Sequence, residues 1–316
     1  LSSATRGAAR MLDEIVARYR AGDRLALARL LTFIARGEEL EGLRAALTGD
    51  TSKSLVVAIT GSAGVGKSTL VGRLTEHLRA QNKTVAVLAC DPQSPLTGGA
   101  LLGDRVRMPS RPEDAGLYIR SLAATSGNQA LAEHLELMTR ALAEFGFDVI
   151  LLETVGAGQG DTAARSLSDV LVVLLQPESG DELQWEKAGL LEVADVVVVH
   201  KADMAGAERT QAQVKELLGL PGCRPIPVLA VSSTKNTGFD ELWATISAQP
   251  RRLDGAGTDA GWLLRRAQQI LAERFHDRAT SLAPLVERWK RHEVDETQAA
   301  DELLSVLSRL SKRGRR

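Results

Sequence analysis

Apolar positions along the chain change their spacing twice. From residue 1 to about 50 they recur at three- and four-residue steps, at Met11, Ile15 and Tyr19 and then at Leu25, Leu27, Leu30 and Leu31, with Gly22-Asp23 as a turn and cap between them. That spacing predicts two or three short helices. From residue 51 to about 250 it gives way to short, β-branched apolar runs at 55–60, 84–90, 147–152, 170–175, 196–200 and 226–231. Helical stretches separate them, at 67–80, 130–145, 183–193, 207–218 and 239–246. Strands that are apolar along their whole length are covered on both faces, so this part is expected to be a doubly wound, mostly parallel α/β sheet. Beyond residue 250 helical spacing returns. Trp262, Leu263, Ala267, Ile270, Leu271 and Phe275 share one helix face, and Leu303, Leu304, Leu307 and Leu310 another, which suits either intrachain core or a dimer contact. The expected organisation is a helical extension (1–50), an α/β domain (51–250) and a C-terminal helical arm (251–316).

One loop carries specific chemistry. Gly61-Ser62-Ala63-Gly64-Val65-Gly66-Lys67-Ser68 fits G-x-x-x-x-G-K-[ST] at every position, followed by Thr69, and it joins a predicted strand to a predicted helix. The glycines let successive backbone N–H groups turn inward to form a concavity for anions. The helix N-terminus adds its partial positive charge at the phosphates. Lys67 can reach the β- and γ-phosphates, and the Ser68 hydroxyl can complete a Mg²⁺ shell. A P-loop binding a nucleoside triphosphate is the expectation.

The base and the metal ligands follow from strand order. His200-Lys201-Ala202-Asp203 closes the strand at 196–200, where guanine-reading loops carry [NT]-K-x-D. An ionised Asp203 accepts from the guanine N1–H and exocyclic amine but repels the adenine N1 acceptor, while the Lys201 stem packs on the base plane. His200 stands at the Asn position, where an imidazole N–H can donate to the base N7. Val231-Ser232-Ser233-Thr234 stands where a second guanine loop usually reads S-A-x, with Ser233 in the Ala position. Asp91 and Glu153 end two strands, on the side where open α/β sheets bind ligands. Glu153 takes the place of the usual D-x-x-G acid, with the Gly156 amide placed to sense the γ-phosphate, and Asp104 is a third candidate acid on a loop. Ala157 stands where many small GTPases keep a water-positioning Gln, and Gln159 lies beyond it, so slow intrinsic hydrolysis quickened by a partner is expected. Arg107 and Lys187 are candidates to stabilise transferring phosphoryl charge, or equally surface charges.

Charge narrows the partners. With 39 Lys+Arg against 40 Asp+Glu the net charge is −1, which supplies no electrostatic argument for nucleic acid or an anionic membrane, and the basic run 312–316 reads as a solvated tail. No apolar run approaches the roughly 20 residues that span a bilayer. The two cysteines, Cys90 and Cys223, provide neither a disulfide scaffold nor a Cys-based zinc site, so a reducing compartment, the cytoplasm, is expected. Leu1 is not an initiating methionine, which allows for a leader ahead of it, and the N-terminus shows no signal-peptide core.

Several unusual motifs now occur in one order. Asp91-Pro92-Gln93-Ser94, Thr97-Gly98-Gly99 and Leu102-Gly103-Asp104-Arg105-Val106-Arg107-Met108 resemble the D-P-S-S…T-G-G…L-G-D-[KR]-x-R-M loop of the methylmalonyl-CoA mutase-associated G proteins, the MeaB/MMAA/ArgK-type GTPases. Glu153-Thr154-Val155-Gly156-Ala157-Gly158-Gln159 is similar to the family's E-T-V-G-V-G-Q, and 177–189 to its P-G-x-G-D-E-L-Q-x-x-K. The resemblance implies a homodimeric GTPase, dimerising through C-terminal helices, that gates adenosylcobalamin delivery to a B12-dependent acyl-CoA mutase and protects that enzyme. A cobalamin adenosyltransferase is a further implied partner. It also implies that Lys67, Ser68 and Thr69 contact phosphates and Mg²⁺, that Asp91, Asp104 and Glu153 surround the metal, and that Asp203 reads guanine. Asp181, Glu182 and Lys187 would form a switch that answers to the mutase. The departures are His200 for Asn, Gln93 and Pro95-Leu96 in the first switch, and Glu178, Ser179 and Trp185-Glu186 in the third. They point to a divergent paralogue serving a related mutase. The remaining readings are a metal-insertion GTPase, disfavoured because His77, His134, His200, His276 and His292 are scattered, a small-molecule or protein kinase, and a nucleotide-dependent binding module with negligible hydrolysis.

Overall fold

A computed structural model describes residues 3–92, 113–124, 128–154, 164–177, 188–220, 224–252, 279–291 and 293–311. Seven strands form one sheet: β1 (Leu55–Gly61), β2 (Val85–Pro92), β3 (Leu117–Ala124), β4 (Val149–Glu153), β5 (Val170–Leu175), β6 (Val196–His200) and β7 (Val228–Val231). Their order is β3-β2-β4-β1-β5-β6-β7, and every pairing is parallel. From β1 the chain steps past the β4 position to β2 and β3, returns to β4 beside β1, and then crosses to β5, β6 and β7 on the other side. The crossovers therefore diverge above β1, which opens a crevice at the carboxyl ends of the strands.

Why these runs become central strands follows from burial. β1, β4, β5 and β6 are buried at every position. Successive side chains point to opposite faces, and two apolar cores result. Val56, Ala58, Ile150, Leu171 and Val197 belong to one, together with Leu27, Leu30, Leu31 and Leu142 from helices. Val57, Ile59, Leu151, Val172 and Val198 belong to the other, with Leu70, Leu74, Leu78 and Leu242. The first layer contains α1 (Ser3–Arg20), α2 (Arg24–Ala35), α3 (Leu40–Ala46) and α5 (Asn128–Phe145). The second contains α4 (Lys67–Ala80), with α8 (Phe239–Ala248) beside it. Asp23 caps α2 by accepting from the Leu25 and Ala26 amides at 2.8 and 3.3 Å. The Tyr19 hydroxyl donates to the Ala141 carbonyl at 2.7 Å, which fastens α1 to α5.

Two differences from the hydrophobic pattern have physical causes. Met11 and Leu25, read as core-facing from spacing, are 48% and 55% exposed, because the buried stripe runs through Ile15, Tyr19, Leu27 and Leu30 instead. β3 has no counterpart among the six predicted strands. It is an edge strand, paired with β2 alone, and its polar Arg120 and Ser121 break the apolar run. Arg120 is used there to donate to the Ala28 carbonyl and Thr32 hydroxyl of α2, at 3.3 and 3.2 Å.

At the amino ends of the strands, buried carboxylates replace missing ladder partners. Asp169 accepts from the Val56 amide at 2.9 Å and Asp195 from the Leu171 amide at 2.8 Å, and Arg224 and Arg252 both pair with Asp195. The chain forms two compact units, Leu1–Asp254 and Gly255–Arg316. Further helices in the first are α6 (Ala188–Val193) and α7 (Ala207–Leu218). The second contains α9 (Ala279–Lys290) and α10 (Glu296–Ser311), joined by an Arg288–Glu302 ion pair at 2.9 Å. No helix among the described residues is long and apolar enough to cross a membrane.

Candidate nucleotide site

The loop from Gly61 to Lys67 crosses from β1 to α4, and its glycines are there for space as well as torsion. Gly61 has φ +146°, and a Cβ on it would sit 2.5 Å from the Leu174 carbonyl oxygen of the neighbouring strand. Gly66 has φ +100°, and a Cβ there would sit 2.5 Å from Cε1 of His200. Gly66 is also the residue before α4, and it gives the helix no side-chain cap. The first amides of α4 are thus left without an oxygen from that position, the arrangement that receives phosphate oxygens. Lys67 is buried, and its ammonium donates to the carbonyls of Gly61 and Ser62 at 2.9 and 3.2 Å, so it lies along the loop it serves. Ser62, Ala63 and Gly64 are exposed, while Val65 is buried and anchors the loop.

The end of β4 meets the start of α4. The Ser68 hydroxyl donates to Oε1 of Glu153 at 2.6 Å, and Glu153 is only 4% exposed. Thr154 fixes the next residue to β1: its amide donates to the Ile59 carbonyl at 3.1 Å, and its hydroxyl donates to that of Thr60 at 2.9 Å. Asp91 is the penultimate residue of β2 and so lies on this same edge of the sheet. Its side chain, and all of Asp104, Arg107, Gly156, Gln159, Asp181, Glu182 and Lys187, lie outside the described residues.

β6 delivers the third part of the site. Lys201 takes φ +58°, a left-handed turn directly after the strand, and its ammonium donates to the Gly64 carbonyl at 2.9 Å and to Oε1 of Gln176 at 2.8 Å. Asp203 is exposed and accepts a hydrogen bond from the buried Ser232 hydroxyl. That bond, then the residue's own backbone amide, holds the carboxyl below the usual carboxylate range, so it is ionised at neutral pH. The Ser232 hydroxyl also accepts from the Lys235 amide at 3.0 Å, and a Ser232–Thr237 bridge closes the loop that holds Thr234 exposed.

His200 departs from its expected use. The ring is 2% exposed, with Nδ1 2.8 Å from the Val65 carbonyl and Nε2 2.7 Å from the Ser233 hydroxyl. Burial pushes its pKa down, against the pull of the Val65 carbonyl. A carbonyl only accepts, so the neutral ring carries its proton on Nδ1 and accepts from Ser233 at Nε2. Both nitrogens are therefore spent inside the protein, and donation to a base N7 is not what this ring is placed to do. Gln176 and the Thr60–Thr154 pair are site residues that sequence reasoning missed. Gln176 follows the carboxyl end of β5, where the ligand rule for open sheets would have directed attention.

The crowding at Gly66 makes a direct test. Gly66→Ala must either displace the His200 ring or tilt the first turn of α4, on top of the left-handed backbone, and is expected to destabilise the protein by about 1–3 kcal/mol. Thermal melts should show a lowered midpoint that added GDP restores only in part.

A phosphate loop, a strand-end carboxylate beside its Ser and a Lys-x-Asp base loop, on a sheet of this order, together define a P-loop GTPase. Comparison with known proteins carries this to a family. The model of "Methylmalonyl Co-A mutase-associated GTPase MeaB" matches residues 27–283. A putative GTPase of Pyrococcus abyssi is 39% identical over 255 residues, covering 78% of each chain, and one of Pyrococcus horikoshii is 33% identical over 312 residues, covering 94% of this chain and 98% of the other. Among solved structures, one described as an LAO/AO transport system kinase aligns with TM-score 0.67 at 21% identity, covering 98% of this chain and 99% of that one, which supports the fold. The chain belongs to the MeaB family of GTPases and hydrolyses GTP.

Proposed function

We propose that this GTPase is a Mg²⁺-dependent, nucleotide-gated chaperone for a B12-dependent acyl-CoA mutase. The observation that carries the reading is the family match over residues 27–283, since the family's own description is mutase-associated. A mouse relative described as methylmalonic aciduria type A homolog, mitochondrial, is 35% identical over 251 residues and supports the same direction.

The residues fit the implied metal. Mg²⁺ is held by one or two carboxylates together with water and substrate phosphate oxygens. Ser68 and Glu153 bring a hydroxyl and a buried carboxylate to 2.6 Å of each other at the mouth of the phosphate loop. Asp91 shares that sheet edge, and Asp104 is a further candidate by resemblance. When bound, the ion neutralises charge on the β- and γ-phosphate oxygens. Loop amides and Lys67 hold the phosphates in line, Asp203 and Lys201 hold the guanine base, and Arg107 or Lys187 would add cationic charge at the phosphates. A homodimer and docking through 178–187 belong to this proposal, as does a cobalamin adenosyltransferase as a second partner.

The test is turnover of GTP and of ATP by the purified chain with Mg²⁺, alone and with candidate B12-dependent acyl-CoA mutases. Slow GTP turnover that rises with one mutase is the expected result and names the client. Turnover unmoved by every mutase would overturn the chaperone role, and equal use of ATP would reopen a kinase reading.

A further inference from the structure

Two positions of this chain depart from the residues that guanine loops usually carry: His200 stands in place of Asn, and Ser233 in place of Ala. The folded chain puts these two departures in contact. Nε2 of His200 lies 2.7 Å from the Ser233 hydroxyl although the residues are 33 positions apart. The other ring nitrogen reaches 2.8 Å to the Val65 carbonyl, 135 positions away, in the middle of the phosphate loop. His200 and Ser233 are 2% and 5% exposed, so water does not replace either bond. The ring also occupies the space that a side chain at position 66 would need.

We propose that His200 and Ser233 are a co-adapted pair of positioning residues, a buried strut that sets the phosphate loop against the base loop and so fixes how long a guanine nucleotide stays bound. Neither touches the base. The imidazole is longer than a carboxamide and spans from β6 to both loops, but it brings a second nitrogen that needs a donor once buried. An Ala at 233 would leave that nitrogen unpaired; the Ser supplies the hydroxyl. Each departure therefore makes sense only with the other. Lys201 runs beside this strut, binding the Gly64 carbonyl, so Gly64 and Val65 are both held from β6.

The inference rests on the loops binding a guanine nucleotide, and a double-mutant cycle separates the two claims. The variants are His200→Asn, Ser233→Ala and the double substitution, in the full chain. Each single change is expected to speed release of fluorescent GDP by roughly tenfold, the weight of one buried hydrogen bond. The double variant should release no faster than His200→Asn alone, because the Ser has nothing left to serve. KM for GTP should rise in step while kcat stays level. In the wild type, ¹⁵N NMR of the ring should show the Nδ1–H tautomer, and Ser233→Ala should shift the Nε2 resonance. Additive effects on release, or the opposite tautomer, would overturn the strut. The same cycle read by thermal melting without nucleotide reports on the strut even if the wild type were to bind GDP no better than ADP, a result that would instead overturn the guanine reading.

Discussion

Lys67→Ala is expected to lower GTP hydrolysis by about 10²–10³-fold, the loss that accompanies removal of one preorganised donor from a developing negative charge. The reason lies in where the ammonium is kept. It is buried against the carbonyls of Gly61 and Ser62, so its charge is largely desolvated and already aligned with the loop before phosphate arrives. Single-turnover kinetics with GTP in excess of its dissociation constant would read the effect on chemistry apart from binding. Lys67→Arg should not rescue, since a planar fork cannot lie along the loop as a compact ammonium does. Hydrolysis that survives the Ala substitution unchanged would remove Lys67 from the reaction.

Asp203→Ala is expected to weaken GDP binding by roughly 10²–10⁴-fold, since two charge-assisted hydrogen bonds of about 1.5–3 kcal/mol each are lost. Affinity for ADP should hardly move, so the substitution would erase base preference more than nucleotide binding. The Ser232 hydroxyl makes this prediction sharper, because it pins one carboxylate oxygen and keeps the group ionised. Competition against fluorescent GDP, run in parallel for guanine and adenine nucleotides, measures both numbers. An unchanged GDP affinity would take Asp203 out of the base site.

Much of the architecture was legible because it is local. β5 and β6 begin and end where the apolar runs do, and the phosphate loop announces itself through spacing that backbone geometry demands. β3 was not legible, since an edge strand paired on one side only tolerates Arg120 and Ser121 in its middle, and these interrupt the apolar run. The candidate site divides the same way. Lys67, Ser68, Glu153 and Asp203 could be named from motifs, because each motif is a short stretch of chain with one job. The partners of His200 and Lys201 could not, since they are set by the meeting of β1, β5, β6 and the loop after β7 in space. No periodicity encodes that a histidine at 200 will need a hydroxyl at 233, or that Gln176 will share a lysine with Gly64.

The placement of β1 has a consequence for the chain as it is made. Leu55 is in register with Val149 and Val57 with Val170, so the strand that carries the phosphate loop has both its partners far downstream. On the ribosome the segment 61–68 leaves the exit tunnel as a glycine-rich sequence with no sheet to hold it, and the residues that tether it, His200, Lys201 and Ser233, are translated later still. At about 5–20 residues per second this interval lasts roughly ten to thirty seconds. Through that interval the nascent chain has no assembled loop to offer the cell's GTP. Nucleotide stabilises only what binds it, so cellular GTP rewards the completed sheet and gives nothing to its fragments.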